Sequence, residues 1–177
     1  DGIQLAIPGE PARGLEQPHV LSSIDLLSSP GMVFGKKAVV FDDVGHYEAI
    51  GAAEYLMEKG LAVTFITSRR EFAPLMEPAL RSNPALERLS KGDFNLITRA
   101  QLCKVNEKNV EVKYLYGGDS LFIPADIVIP VFHNKPEASL KNRLLDFSGD
   151  IYVVGDAKSP RFLKAAIHDG YRAGSMV

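Results

Sequence analysis

The sequence predicts an α/β fold with a central parallel sheet and an inserted antiparallel β-meander. Three observations carry this reading. Val39-Val40-Phe41 is a continuous apolar run within residues 36–42, the pattern of a parallel strand covered on both faces. A stretch of helical period over roughly 46–59 and a β-branched run, Val63 to Thr67, complete strand, helix and strand in about 30 residues. From 94 to 129 the pattern shifts to short apolar runs separated by turn residues.

The elements follow in chain order. Residues 1–7 alternate apolar and polar as a strand does, and Pro8-Gly9 closes it. Residues 8–20, rich in proline and glycine, read as a surface connection. Ser22 to Leu27 reads as a short helix, because serine can accept the orphan amides of a first turn, and Ser28-Ser29-Pro30-Gly31 ends it. After the strand at 36–42, Ile50, Ala53, Leu56 and Met57 share one helical face, and Gly60 suits the C-cap. Residues 72–91 are helical but broken by Pro74, Pro78 and Pro84. Five strands follow at 94–98, 101–106, 109–116, 120–123 and 127–129, with turns at Lys108-Asn109 and Gly117-Gly118-Asp119, and these form the meander. A helix over 136–146, a buried strand Ile151–Val154 and a helix over 160–174 complete the chain.

Composition bounds the function. The chain has 177 residues, 46% hydrophobic and 24% charged, as in an ordinary globular domain or one domain with part of another. Its net charge of -2 and lack of a basic stripe argue against a nucleic-acid partner. No apolar run reaches membrane-spanning length and no signal peptide opens the chain, so a membrane role is not expected and a cytoplasmic location is. The single cysteine, Cys103, cannot form an internal disulfide or hold an iron–sulfur cluster, and reads as a small residue at a strand end. The four histidines are scattered, with no metal-binding spacing. The chain begins at Asp1-Gly2 without an initiator methionine and is expected to be a piece of something longer.

Three places could carry chemistry. The turn after the first internal strand reads Asp42-Asp43-Val44-Gly45-His46-Tyr47-Glu48-Ala49-Ile50-Gly51. A dinucleotide site needs glycines here for the tight turn, for approach of the pyrophosphate and for helix packing. Gly45 and Gly51 fit the turn and packing roles, but GxGxxG is absent and the acidic residues oppose a phosphate. A second candidate, Ser68-Arg69, ends the next strand, where arginine suits a 2′-phosphate; a solvated surface turn is the other reading. The third is Gly155-Asp156, at the end of a strand and before a helix containing Ala166 and Ile167. Asp156 can accept from cofactor hydroxyls while the helix amides meet a pyrophosphate, or it can simply cap that helix.

The segments VVGDAKSPRFLKAAIHDG and KKAVVFDDVGHYEAIGAAEYLMEKGLAVTFIT resemble the pyridine-nucleotide-reductase superfamily of flavoproteins. Within it they resemble the NADH:flavin oxidoreductases of the 2,4-dienoyl-CoA reductase, trimethylamine dehydrogenase and histamine dehydrogenase type. The resemblance implies a Rossmann-like FAD/NAD(P)-binding fold. It places residues 1–30 at the edge of an FAD domain, 31–135 in an NAD(P)- or ADP-type domain, and 136–177 in the returning FAD domain. It assigns Gly155, Asp156, Ala166 and Ile167 to FAD or ADP, and Gly45, His46, Tyr47 and Gly51 to an NAD(P)-type site. FMN and a 4Fe-4S cluster are implied only for an N-terminal TIM barrel absent from this chain. A degenerate, non-catalytic nucleotide fold serving as scaffold or docking surface is the alternative. No residue stands out as a catalytic acid, base or nucleophile.

Overall fold

A computed structural model describes residues 12–29, 31–32, 35–137 and 139–176. The strand expected over 1–7 lies outside them. The described residues divide into two compact units, a larger one that ends at Phe132 and a smaller one that begins at His133.

The larger unit is built on four parallel strands. In chain order, α1 spans Ser23–Ser28, β1 Lys37–Asp42, α2 Tyr47–Glu58 and β2 Ala62–Thr67. A 3-10 helix at Pro74–Ala79 leads to α3, Ser82–Leu89, and then to β3, Phe94–Ile97. Strands β4 (Ala100–Val105), β5 (Asn109–Tyr114), β6 (Leu121–Pro124) and β7 (Ile127–Val131) follow. The parallel sheet runs β3-β2-β1-β7, with Val40 of β1 facing Phe65 of β2 and Ile129 of β7 across the ladder.

Successive residues of β1 point to opposite faces, so both faces need cover. Ala38 and Val40 pack with Val63, Phe65 and Ile129 under Ala49, Ala53 and Leu56 of α2, Leu26 of α1 and Leu89 of α3. Val39 and Phe41 pack with Ile66 and Val128 against Leu102, Val110 and Val112 of a separate antiparallel sheet, β4-β5-β6. The result is three layers: helices, parallel sheet, antiparallel sheet. Each large apolar side chain buried here contributes roughly 1.5–3 kcal/mol.

The meander is therefore three strands rather than five. The first and last expected members, β3 and β7, belong to the parallel sheet. Short strands with turn signals look alike in sequence, and only the α3 crossover shows that β3 returns parallel to β2. Ser22 caps α1 through a hydrogen bond from the Asp25 amide at 3.0 Å, as its sequence predicts. Gly60 follows the C-cap residue Lys59. Cys103 lies within β4 and not at its end: the register shifts between Leu102 and Lys104, and the Cys103 carbonyl accepts from the Arg13 amide at 3.0 Å. Burial pushes its thiol pKa up, and nearby Glu111 adds to the shift.

The smaller unit holds α4, Ser139–Arg143, a 3-10 turn at Gly155–Ala157 and α5, Leu163–Gly174. Residues 136–146 thus form a shorter helix than expected, and α5 starts after Pro160 rather than at it. Residues 151–154 are not a strand; Ile151 and Tyr152 are exposed and Val153 and Val154 half-buried. An apolar run becomes a strand only when a neighbour accepts its backbone hydrogen bonds, and none pairs with it among the described residues. Gly155 is the one buried position among the described residues of 133–176. No helix of the described residues is long and apolar enough to cross a membrane.

Candidate functional site

In the larger unit the polar residues gather at the C-terminal edge of the parallel sheet, where open α/β folds place their ligands. β1 ends in Asp42, which is 0% exposed. Its Oδ1 accepts from the amides of Val44 at 3.0 Å and Gly45 at 2.8 Å. The carboxylate thus closes an Asx-type turn on its own following residues. Its Oδ2, and that of buried Asp43, have no hydrogen-bond partner among the described residues. Burial pushes the Asp42 pKa up to about 6, with Asp43 adding to the rise, while the two amides and Arg69 hold it lower. At neutral pH the group is therefore mostly ionised.

Ser68 and Arg69 reach back to this turn. The Ser68 hydroxyl donates to Asp43 Oδ1 at 2.6 Å. The Arg69 guanidinium donates twice to the Asp43 carbonyl, with Nε at 3.0 Å. The Asp43 amide in turn donates to the Val131 carbonyl at 3.0 Å. The ends of β1, β2 and β7 are tied together by this set.

Gly45 holds φ at +81°, and a Cβ there would sit 3.0 Å from Pro74 Cδ. This supports its role as turn glycine. Gly51 differs from its expected packing role, since a Cβ there would meet no atom within 4 Å. It lines a cleft of about 470 Å³ between α2 and α3, together with Tyr47, Arg81 and Pro84. His46 is the N-cap residue of α2, and its ring lies edge-on to Tyr47 at 4.8 Å. The expected group Gly45, His46, Tyr47, Gly51, Ser68 and Arg69 thus divides: Gly45, Ser68 and Arg69 lie at the sheet edge, His46 stands at the N-cap of α2, and Tyr47 and Gly51 face the helix cleft.

The turn does not fit a dinucleotide pyrophosphate. A helix N-terminus favours an anion by about 0.3–1 kcal/mol, up to ~2 when partly buried. Two unit charges about 4 Å apart repel by ~4 kcal/mol at an effective dielectric of about 20. The Asp42 carboxylate outweighs the helix, and it has already taken two amides that would meet a phosphate.

The smaller unit presents a different chemistry. Gly155 holds φ at +60°, and a Cβ there would approach Ala166 Cβ to 3.3 Å. The Gly155 carbonyl accepts from the amides of Lys158 and Ser159, both at 3.0 Å. Asp169 of α5 pairs with Arg161 and with Lys158, the latter at 3.7 Å. Asp156 is exposed; its Oδ1 accepts weakly from the Arg161 amide at 3.3 Å. It does not cap α5, whose N-cap residue is Phe162. Ala166 sits against the glycine, and Ile167 is 62% exposed. A glycine turn beside an accessible carboxylate fits a hydroxyl-bearing, pyrophosphate-linked cofactor better than the larger unit's turn does.

Asp42 is the residue whose part the sequence reading underrates, because an acidic residue at this turn reads only as repulsive to phosphate. The signal available in sequence is an aspartate two and three residues ahead of amides in a turn.

No family model matches the chain. It is 28% identical to a probable N-methylproline demethylase from Rhizobium meliloti (strain 1021), across 86% of this chain and 27% of that protein. The structure is similar to 6-hydroxypseudooxynicotine amine oxidase from Pseudomonas geniculata N1, with a TM-score of 0.86 and 24% identity over 93% of this chain and 25% of that one. Histamine dehydrogenase from Rhizobium sp. 4-9 gives a TM-score of 0.80 at 24% identity, over 89% and 26% of the two chains. The chain therefore spans about a quarter of the length of these proteins. The fold is the Rossmann-like type of the pyridine-nucleotide reductases, and the resemblance drawn from the sequence is met by these comparisons.

Proposed function

We propose that this chain is the nucleotide-fold portion of a larger flavin-dependent oxidoreductase, in which it binds and orients a nucleotide cofactor for electron transfer. One observation carries the reading beyond the fold. Leu163, Ile167 and Tyr171 of α5 are 76%, 62% and 77% exposed, at the i, i+4, i+8 spacing of a core-facing stripe. Such a stripe calls for cover by further parts of the same protein, here the rest of an FAD domain and an N-terminal barrel.

In this reading FAD or ADP is held at Gly155-Asp156. The backbone at Gly155 allows close approach of a pyrophosphate, and Asp156 accepts from ribityl or ribose hydroxyls. A bound flavin supplies the redox chemistry; the residues of this chain bind and position it. FMN and a 4Fe-4S cluster belong to the N-terminal part, since a single cysteine cannot ligate a cluster. The names of the demethylase, amine oxidase and histamine dehydrogenase support an amine as the whole protein's substrate class.

Calorimetric titration of the chain with FAD, ADP, NADH and NADPH tests this. The expected result is weak FAD or ADP binding, reduced at least about tenfold by Asp156→Ala, with no turnover. Equal binding by the variant would reject the site. Tight, stoichiometric flavin copurifying with the chain would reject its being part of a larger FAD site. The second reading, a non-catalytic scaffold, is favoured by the Asp42 turn, and failure of every nucleotide to bind would support it.

A further inference from the structure

The larger unit has the topology of a dinucleotide domain but a filled crevice. In such a domain, the amides at the turn after the first strand and at the following helix start are left free for a pyrophosphate. Here Val44 and Gly45 donate instead to Asp42 Oδ1, at 3.0 and 2.8 Å. The side chain giving that oxygen is fully buried, and its second oxygen has no partner among the described residues. Next to it, the space between the turn and the end of β2 is crossed by Arg69 and Ser68, both bonded to Asp43.

We infer that Asp42 occupies the amide cradle of the β1–α2 turn with its own side-chain oxygen, so that the larger unit is closed to diphosphates and opens to them when that acceptor is removed. This goes beyond the reading above, which concerns Gly155-Asp156. It makes Asp42 the residue that confines nucleotide binding to one of the two units. It also explains why a GxGxxG pattern is dispensable here: the turn needs Gly45 for its backbone, while the chain itself provides the acceptor.

The test is an amide-resolved NMR titration of the intact chain with inorganic pyrophosphate at pH 8, read at Val44 and Gly45. In the wild type these two resonances are expected to stay fixed through millimolar pyrophosphate. In Asp42→Gly they are expected to shift saturably, with affinity raised at least about tenfold. Asp42→Asn keeps an oxygen acceptor for both amides and is expected to remain closed. Saturable shifts in the wild type would overturn the inference. So would a folded Asp42→Gly without gain, or an Asp42→Asn gain equal to that of Asp42→Gly, which would make charge alone the barrier. Should Asp42→Gly not fold, the wild-type and Asp42→Asn titrations still decide. Failure of the Gly155-Asp156 reading would show only at those two residues and leave Val44 and Gly45 unaffected.

Discussion

Asp42 stays ionised at neutral pH in a place where burial opposes it, and the cost is measurable. Its folded pKa of about 6 lies above the ordinary value of 3.8. The folded state therefore holds the proton more tightly than the unfolded state. Stability from this group is fully present below pH ~4, falls as pH rises to about 6, and is level above that, a change on the order of 3 kcal/mol. Asp42→Asn removes the titration. Urea unfolding is expected to show the variant gaining on the wild type between about pH 4 and 7 by up to that amount; a gap independent of pH would contradict it. The other charged groups acting on Asp42, Asp43 and Arg69, remain in both proteins. Gly45→Ala is expected to cost about 1–3 kcal/mol by chemical denaturation, because its left-handed backbone disfavours a Cβ and Pro74 lies against that Cβ. Of the site residues, Gly45 is legible from its position in the turn. The direction of Arg69 is not: an arginine at a strand end can meet a 2′-phosphate or the chain's own carbonyl, and only packing decides.

Elements whose partners lie close in sequence are legible. β1, α2 and β2 form from an apolar run, a helical stripe and a β-branched run, and each finds its partner within the same βαβ unit. Leu56 of α2 is fully buried on that sheet, so Leu56→Ala is expected to cost about 2–5 kcal/mol, measured by thermal or urea unfolding. A cost under about 1 kcal/mol would mean that α2 packs differently. Residues 151–154 show the opposite case. Their composition is that of a buried strand, yet a strand exists only as part of a ladder. β3 and β7 likewise look like meander strands in isolation, for β7 pairs with β1 across every element that lies between them in sequence.

At the scale of the whole chain the two units differ in burial. Residues 12–132 carry two hydrophobic clusters on the two faces of the parallel sheet. The described residues of 133–176 bury only Gly155. Hydrogen exchange is expected to find β1, β2 and β7 protected to the level of global unfolding, and amides of 133–176 exchanging with little protection. Equal protection in both regions would contradict the picture of a second unit that needs cover from elsewhere in a longer protein. Local periodicity and motifs read along the chain were enough for the α/β class, the βαβ unit, the short antiparallel strands and the resemblance to flavoprotein oxidoreductases. They could not show that Asp42 fills its own turn, that Gly51 faces a helix cleft, or that Asp169 pairs with Arg161. Those facts came with the packed chain, because hydrogen bonds and burial depend on which groups meet in space, and a linear pattern does not fix that.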